Sequence, residues 1–227
     1  MMSLLVYGQA QGREKTGEAN EVATTQPKKT IKIGHPPFMS PHFSPVLVSD
    51  GKVFVANTPC DTVDVLDAAN NRILRRIPVG LDPVSLAVRP DGLELWVANH
   101  VSDSVSVIDL DELKPTFMHV VATVQDIDPK TKATRFDEPM GIAFANDRKA
   151  YVALSSENKI AVVDVVSRKV IKGLPIRAQD PRAIIVRNGR LYVLPFESNN
   201  KTQLSGGYKI DGKLVTFNAH EHSIANN

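Results

Sequence analysis

The stretch VFVANTPCDTVDVLD, residues 53–67, recurs in closely similar form as LWVANHVSDSVSVID, residues 95–109. In both copies apolar residues alternate with polar ones, as Val63 and Val65 do in the first, which is typical of half-buried strands. An aspartate ends each copy, where its carboxylate can bond the backbone two residues on and start a turn. The chain is therefore built from repeated strand–turn–strand units.

Two weaker copies extend the repeat to four units. One starts at Glu138 with EPMGIAFANDRKAYVAL, and the other at Asp180 with DPRAIIVRNGRLYVLP. Each unit opens with a proline and an apolar strand, followed by a turn pair such as Asp-Gly or Asn-Gly. The anchoring prolines are Pro45, Pro83, Pro139 and Pro181. A unit of about 40–45 residues is the length of a propeller blade, and the sequence has no helical periodicity of useful length.

These units predict an all-β fold: a β-propeller segment of three to four four-stranded antiparallel blades in an open partial ring. Residues 1–29 are polar and predicted to be a disordered leader, and 30–227 the propeller segment. Residues 30–34, TIKIG, resemble RIPVG at 76–80 and predict a strand that completes a blade. The predicted blades lie near 44–80, 82–137, 138–179 and, as a partial unit, 180–227.

The fourth unit predicts that the ring is open. After FESNN no V-x-V-I-D segment follows, so the expected arc has three full blades and a partial fourth. Rings typically have 4–8 blades because closure protects the strand edges. We therefore expect a fragment of a longer propeller, with self-association through the open blade edges, pairing with a missing half, or aggregation.

Composition excludes several classes of partner. The formal charge is +2, from 27 basic and 25 acidic residues, so nothing favours binding to nucleic acid or an anionic membrane. No apolar run approaches the roughly 18 residues of a membrane span. Cys60 is the only cysteine, which excludes an intrachain disulfide, and no Cys-x-x-Cys-His motif for haem is present. No cofactor is predicted.

The pattern of proline, inner strand, Asp-Gly, FVAN or WVAN, then V-x-V-I-D resembles the YVTN-type β-propeller repeat family of surface-layer proteins. The resemblance covers about residues 44–200 and weakens where YVAL and YVLP replace the motif. It implies a secreted or cell-surface binding or scaffolding module, because that family has no shared catalytic set. The alternative is a propeller-type enzyme or redox protein, lactonase-like or partnered with a cytochrome, whose chemistry lies outside these residues.

The N-terminus leaves the location open between two interpretations. Gly8-x-Ala10 has the small-x-small pattern of a signal cleavage site, but the apolar stretch before it is short and lacks a basic flank. The segment is either the remnant of a signal peptide or an unprocessed leader. With the family resemblance, we expect an extracellular, periplasmic or cell-surface location.

Strand order places the irregular loops on one face, which we call face one. Links between blades, and loops between second and third strands, both lie there, and such loops are where binding usually occurs. We expect an unknown protein or small ligand to bind at this rim. The candidate residues are Asp82, Glu138, Asp180, Asp61, His100 and Asp103. Three of the acids precede an anchoring proline, so the alternative is that they only favour the turn.

The remaining candidate residues have weaker support for a functional role. His220 and His222 would point the same way on a strand, but two ligands are too few for zinc. Cys60 and His100 lie in adjacent face-one loops, yet nothing supplies the orienting third group of a nucleophilic site. Trp96 belongs to a second strand and is interpreted as core. No catalytic residue or metal ligand is predicted.

Overall fold

The computed structural model describes residues 40–176 and 178–197, and the backbone of 208–210, 213–218 and 223–226. The predicted leader at 1–29 and the predicted strand at 30–34 lie outside the described residues. The histidine pair of the AHEHS segment also lies outside them.

The first blade is an antiparallel sheet whose strands pair in chain order. Asp50 and Gly51 both have positive φ, 45° and 65°, as a tight two-residue hairpin requires. The carboxylate of Asp67 accepts the N–H of Ala69 at 2.8 Å, which is the turn that the sequence predicted. The strands are β1 (Val46–Ser49), β2 (Lys52–Asn57), β3 (Thr62–Asp67) and β4 (Ile73–Pro78), and a 3₁₀ turn (Thr58–Cys60) joins β2 to β3.

The second and third blades repeat this arrangement. The second comprises β5 (Pro83–Val88), β6 (Glu94–Asn99), β7 (Ser104–Asp109) and β8 (Val120–Val124). The third comprises β9 (Pro139–Asn146), β10 (Lys149–Leu154), β11 (Lys159–Asp164) and β12 (Lys169–Pro175). The long link between them is a small hairpin in which Ile127 bridges Thr134.

In the fourth unit, residues 178–197 form one hairpin of a blade. Its sheet has two strands, β13 (Gln179–Arg187) and β14 (Arg190–Glu197). A separate three-stranded sheet follows, with β15 (Tyr208–Ile210), β16 (Lys213–Asn218) and β17 (Ser223–Asn226). Within the described residues the sheets are not closed into a ring, which confirms the open all-β arc. None of these residues forms a helix with the length and apolar character needed to cross a bilayer.

Consecutive blades pack through their inner strands. The second strand of each blade contacts the first strand of the next, in the pairs β2–β5, β6–β9 and β10–β13. The hydrophobic core therefore lies between blades. Phe54 and Leu95 belong to the cluster between the first and second blades, and Trp96 and Met140 to the cluster between the second and third. The burial of Trp96 confirms its interpretation as core.

Residues 40–44, which we call the inner segment, run beside the first strands of other blades. The N–H of Phe43 donates to the carbonyl of Val84 at 3.2 Å, and the N–H of Leu86 donates to the carbonyl of Ser44 at 2.9 Å. Gly141 lies at a close approach, because a Cβ there would collide with the carbonyl of Arg182 and lie 3.1 Å from the Phe43 ring. A glycine at this position allows the third blade, the fourth blade and the inner segment to meet.

Candidate functional site

The three acids that precede the anchoring prolines share one backbone conformation. Asp82, Glu138 and Asp180 have φ of 61°, 49° and 52°, in the left-handed region. The N–H of each donates to a side-chain oxygen just before the third strand of the preceding blade, a contact that we call the link clamp. The clamps are Asp82 to Asp61 at 2.8 Å, Glu138 to Asp103 at 3.0 Å and Asp180 to Asn158 at 2.8 Å.

The clamp residues are also left-handed, with φ of 55° at Asp61, 48° at Asp103 and 53° at Asn158. Aspartate and asparagine tolerate this region better than most residues, which explains their use at all three positions. Asp61 and Asp103 therefore have a structural task, and a ligand role for them stays a prediction. Asn158 was not among the predicted residues, although the loop LSSEN places it at the position that corresponds to Asp61 and Asp103.

The residues that follow the second strands bond back to the links. The N–H of His100 donates to the carbonyl of Asp82 at 2.9 Å, and the N–H of Ser155 donates to the carbonyl of Glu138 at 3.1 Å. The Ser155 hydroxyl also donates to the Glu138 carboxylate at 3.1 Å. These bonds fix the side chains of His100 and Ser155 beside the links, at equivalent positions in adjacent blades.

A cavity of about 310 Å³ opens on face one where the second, third and fourth blades meet. We call it the face-one cavity. Three residues predicted from the sequence line it, His100, Glu138 and Asp180. The inner segment contributes Pro41 to its wall, and the remaining polar lining includes Ser155, Asn158 and Arg182.

His100 has unused hydrogen-bonding capacity. Its side chain is almost wholly buried, with 8% of the residue exposed, and its Nε2 lies 4.0 Å from the Glu138 carboxylate. Its Nδ1 has no hydrogen-bond partner within the described residues. Leaving a buried polar atom unpaired costs about 1–3 kcal/mol.

The two carboxylates in the cavity wall differ in charge balance. Asp180 accepts a bond from Nε of Arg182 at 2.9 Å, and that guanidinium lies 3.8 Å from the centre of the Phe196 ring. The charge of Asp180 is therefore compensated within its own blade. Among the described residues, the Glu138 carboxylate accepts a bond from the Ser155 hydroxyl and lies 4.0 Å from the His100 ring, and about half of its side chain is exposed.

Further acids lie beside Glu138. Burial raises the pKa of Asp103, and the neighbouring charges of Asp137 and Glu138 raise it further, against the lowering effect of the link clamp bond from the Glu138 N–H. Part of this raised pKa comes from the two neighbouring acids, so the carboxylates of Asp103, Asp137 and Glu138 lie near one another.

Asp82 is placed differently from the other two link acids. It is fully buried, and neither carboxylate oxygen has a hydrogen-bond partner in the described part of the chain. It does not line the face-one cavity. Of the three acids expected at the rim, two thus face the cavity and Asp82 lies beneath the surface.

The described residues contain no group of three or more His, Cys, Asp or Glu side chains placed to hold a metal ion. Cys60 is partly buried on the 3₁₀ turn and does not line the cavity that contains His100. The two residues of the conceivable nucleophile pair are therefore not brought together there.

No protein-family model matches the chain, and no curated protein matches it. Several solved structures match the chain. Hydrazine synthase of Kuenenia stuttgartiensis matches with a TM-score of 0.58 and 22% identity, over 83% of this chain and 51% of that one. U3-55K matches with a TM-score of 0.53 and 16% identity, over 80% of this chain and 50% of that one.

A third match is the WD40 repeat structure of RRP9, with a TM-score of 0.53 and 17% identity, over 80% of this chain and 49% of that one. At these identities the likeness shows the fold alone. The chain spans about half the length of each of these structures. The repeated blades, their packing order and these matches together show a β-propeller fold.

Proposed function

We propose that this chain is a propeller binding module whose face-one cavity receives a cationic group, a lysine ammonium or an arginine guanidinium of a partner protein or peptide. The observation that carries the proposal is a half-exposed carboxylate, Glu138, which has a hydroxyl as its hydrogen-bond partner in the described residues and lines one cavity together with His100. The propeller blades supply a rigid scaffold for the loops that present these groups.

The chemistry of the two groups is complementary to such a ligand. The Glu138 carboxylate accepts a charge-assisted hydrogen bond, which is about twice as strong as a neutral one. The His100 ring, whose Nε2 lies 4.0 Å from that carboxylate, forms the adjoining part of the cavity wall. The acids Asp103 and Asp137 favour the approach of positive charge.

The proposal includes membership of the YVTN-type repeat family and a larger ring of six to eight blades. FVAN and WVAN followed by V-x-V-I-D strands support the family. A location outside the cytoplasm rests on that resemblance and is tested by fractionating cells that express the chain with its own N-terminus. The alternative, a propeller-type enzyme, is favoured by no observation in the described residues.

Isothermal titration calorimetry of the whole chain tests the cation site. The probe is the peptide acetyl-Gly-Gly-Arg-Gly-Gly-amide, with a matched peptide that has glutamine in place of arginine. We expect binding of the arginine peptide only, and a loss of about tenfold or more in affinity for Glu138→Gln, because a charge-assisted bond contributes about 1.5–3 kcal/mol.

The matched control is Glu112→Gln, which removes a similarly exposed carboxylate that lies away from the cavity. Its affinity for the arginine peptide should equal that of the native chain. Equal binding of both peptides, or an unchanged affinity in Glu138→Gln, would sink the proposal.

A further inference from the structure

The two ends of the arc expose apolar side chains. At the first blade, β1 presents Val46 and Val48, which are 55% and 68% exposed; we call this the leading face. At the fourth blade, β14 presents Tyr192, Leu194 and Phe196, with Leu194 69% exposed; we call this the trailing face. Contiguous apolar surface of this kind marks an interaction site in a soluble protein.

The repeat shows what the leading face lacks. Val46 corresponds to Leu86 of the second blade, because Val46 pairs with Val55 of FVAN as Leu86 pairs with Val97 of WVAN. Leu86 is only 2% exposed, since it packs in the cluster between the first and second blades. Among the described residues, the first strand of the first blade thus has an equivalent residue without a blade that covers it.

The trailing face lacks a neighbour in the same way. Tyr192 corresponds to Trp96, because Trp96 pairs with Ala87 as Tyr192 pairs with Ile185. Trp96 is fully buried, and so is Ala98, the counterpart of Leu194. Each end face therefore has the residues of an internal blade junction, and no neighbouring blade covers it within residues 40–176 and 178–197.

The faces are the two complementary halves of such a junction. Inside the arc, the second strand of one blade contacts the first strand of the next. The trailing face offers a second strand, β14, and the leading face offers a first strand, β1. The two-stranded fourth blade is therefore sufficient, because both strands that form a junction are present.

We propose that two copies of this chain associate head to tail, with the trailing face of each on the leading face of the other. A partner that covers both ends must present both halves of a junction at the matching separation, and a second copy of the arc does so by construction. The chain also matches about half of each solved propeller, 51%, 50% and 49%, so two arcs supply about one ring. Such a pairing closes under two-fold symmetry and does not extend into a filament.

The test is light scattering with size-exclusion chromatography on the whole chain, whose mass is 24.8 kDa. We expect a mass of about twice that value, independent of concentration above the dissociation constant. Val46→Asp, on the leading face, and Leu194→Lys, on the trailing face, should each give a monomer. Burying an unpaired charge at a junction raises the dissociation constant by about a hundredfold or more.

Mixing the two variants sharpens the test. In the mixed pair one junction has two native faces, and the other brings the introduced aspartate of one variant to the introduced lysine of the other. The internal counterparts of these two positions at the first junction, Leu86 and Ala56, belong to one core cluster. The introduced side chains have opposite charges, so the mixture should recover the dimer that neither variant forms alone.

Leu113→Asp is the matched control, because Leu113 is 95% exposed and lies outside both end faces. It should leave the mass unchanged, and circular dichroism should show that every variant keeps its fold. A change in mass with this control would count against the proposal, since the contact would then lie elsewhere.

A dimer that persists in Val46→Asp or in Leu194→Lys would overturn the head-to-tail pairing. A monomer of the native chain, a mass that grows steadily with concentration, or a mixture that stays monomeric would overturn it equally.

Discussion

Trp96 and Tyr192 occupy the same position in the repeat but have different surroundings. Trp96 is fully buried between the second and third blades, whereas half of Tyr192 is exposed at the end of the arc. Trp96 packs edge-on against Phe144, with ring centres 5.2 Å apart, and its Nε1–H donates to Glu94 at 3.0 Å. The presence of the next blade accounts for this difference between two similar aromatic side chains.

The comparison indicates which parts of the arc contribute most to its stability. In a repeat protein, stability is approximately the sum of the stabilities of the repeats and of their nearest-neighbour interfaces. In the described part of the chain, the second and third blades have neighbours on both sides, and the first and fourth on one side. Substitutions at equivalent positions should therefore cost most at internal junctions and least at the open ends.

The largest expected effect is that of Trp96→Ala. We expect it to lower the free energy of unfolding by about 3–5 kcal/mol, since it removes a large buried side chain and leaves a cavity. Tyr192→Ala, at the equivalent exposed position, should cost less than about 1 kcal/mol. Urea unfolding at a protein concentration low enough to keep the chain monomeric measures both. Equal losses in the free energy of unfolding for Trp96→Ala and Tyr192→Ala would contradict this explanation.

Two ion-pair contacts between neighbouring blades, away from the cavity, show the same contrast between a buried and an exposed position. Arg168 of the third blade donates to Glu94 of the second, and Glu94 also lies 2.8 Å from Arg89. Between the first and second blades, Lys52 lies 2.8 Å from Glu112, with the signs of charge reversed. Glu94 is buried, whereas more than half of the Glu112 side chain is exposed.

We therefore expect Glu94→Gln to cost about 2 kcal/mol and Glu112→Gln less than about 1 kcal/mol. Burial alone would raise the pKa of Glu94, but the bonds from Arg168 and Trp96 outweigh it, and the pKa is lowered. A lowered folded-state pKa gives stability that is present above the unfolded pKa of about 4.3 and is lost as the pH falls through the folded value. The cost of Glu94→Gln should shrink on acidification, as urea unfolding at a series of pH values can show. A pH-independent cost would contradict this explanation.

The fold could be predicted because the information is repeated along the chain. The anchoring prolines and alternating strands marked each blade, and the missing V-x-V-I-D segment marked the partial fourth. The inner segment could not be predicted in this way. It has no counterpart in the repeat, and its bonds go to β5 of another blade.

The candidate site could be predicted only in part. Chain direction places His100, Glu138 and Asp180 on one face, but the burial of Asp82 depends on how the blades pack. The role of Asn158 depends on a backbone N–H in the next link, 22 residues away. Sequence spacing alone does not show which of two acids at equivalent positions has a compensating partner, as Asp180 has in Arg182.

Substitutions in the link clamps should lower the stability by at most about the same amount as Glu94→Gln, and they sharpen the comparison between junctions. Asn158→Ala removes the bond to the Asp180 N–H and places alanine at a φ of 53°, so we expect a loss of about 2 kcal/mol. Asn158→Gly removes the same bond without the steric cost of the left-handed conformation, and should lose about 1 kcal/mol. Thermal or urea unfolding separates the two contributions. If glycine costs as much as alanine, backbone strain is not part of the effect.

The smallest expected effect is that of Asp103→Asn. This substitution should stabilise the fold, whereas the preceding ones destabilise it. The third blade already uses an asparagine at this position, so the clamp bond to the Glu138 N–H should survive the substitution. Burial and the charges of Asp137 and Glu138 raise the pKa of Asp103, so its ionised form is disfavoured in the folded chain. Removing that charge should stabilise the fold by less than about 1 kcal/mol at pH 7.

The pH dependence of Asp103→Asn distinguishes this cause from others. A group whose folded pKa is raised contributes stability below its unfolded pKa, about 3.9, and loses that contribution as the pH rises through the folded value. The gain in stability from Asp103→Asn should therefore be absent near pH 3, about one unit below that unfolded pKa, and present above the folded pKa. Urea unfolding at pH 3 and at pH 7 would measure the difference. Asp103→Ala is the matched comparison, because it removes the charge and the clamp together and places alanine at a φ of 48°, so it should be about 2 kcal/mol less stable than Asp103→Asn. Were asparagine to cost as much as alanine at pH 7, the carboxylate charge itself would be what holds the link, and the equivalence of the three clamps would fail.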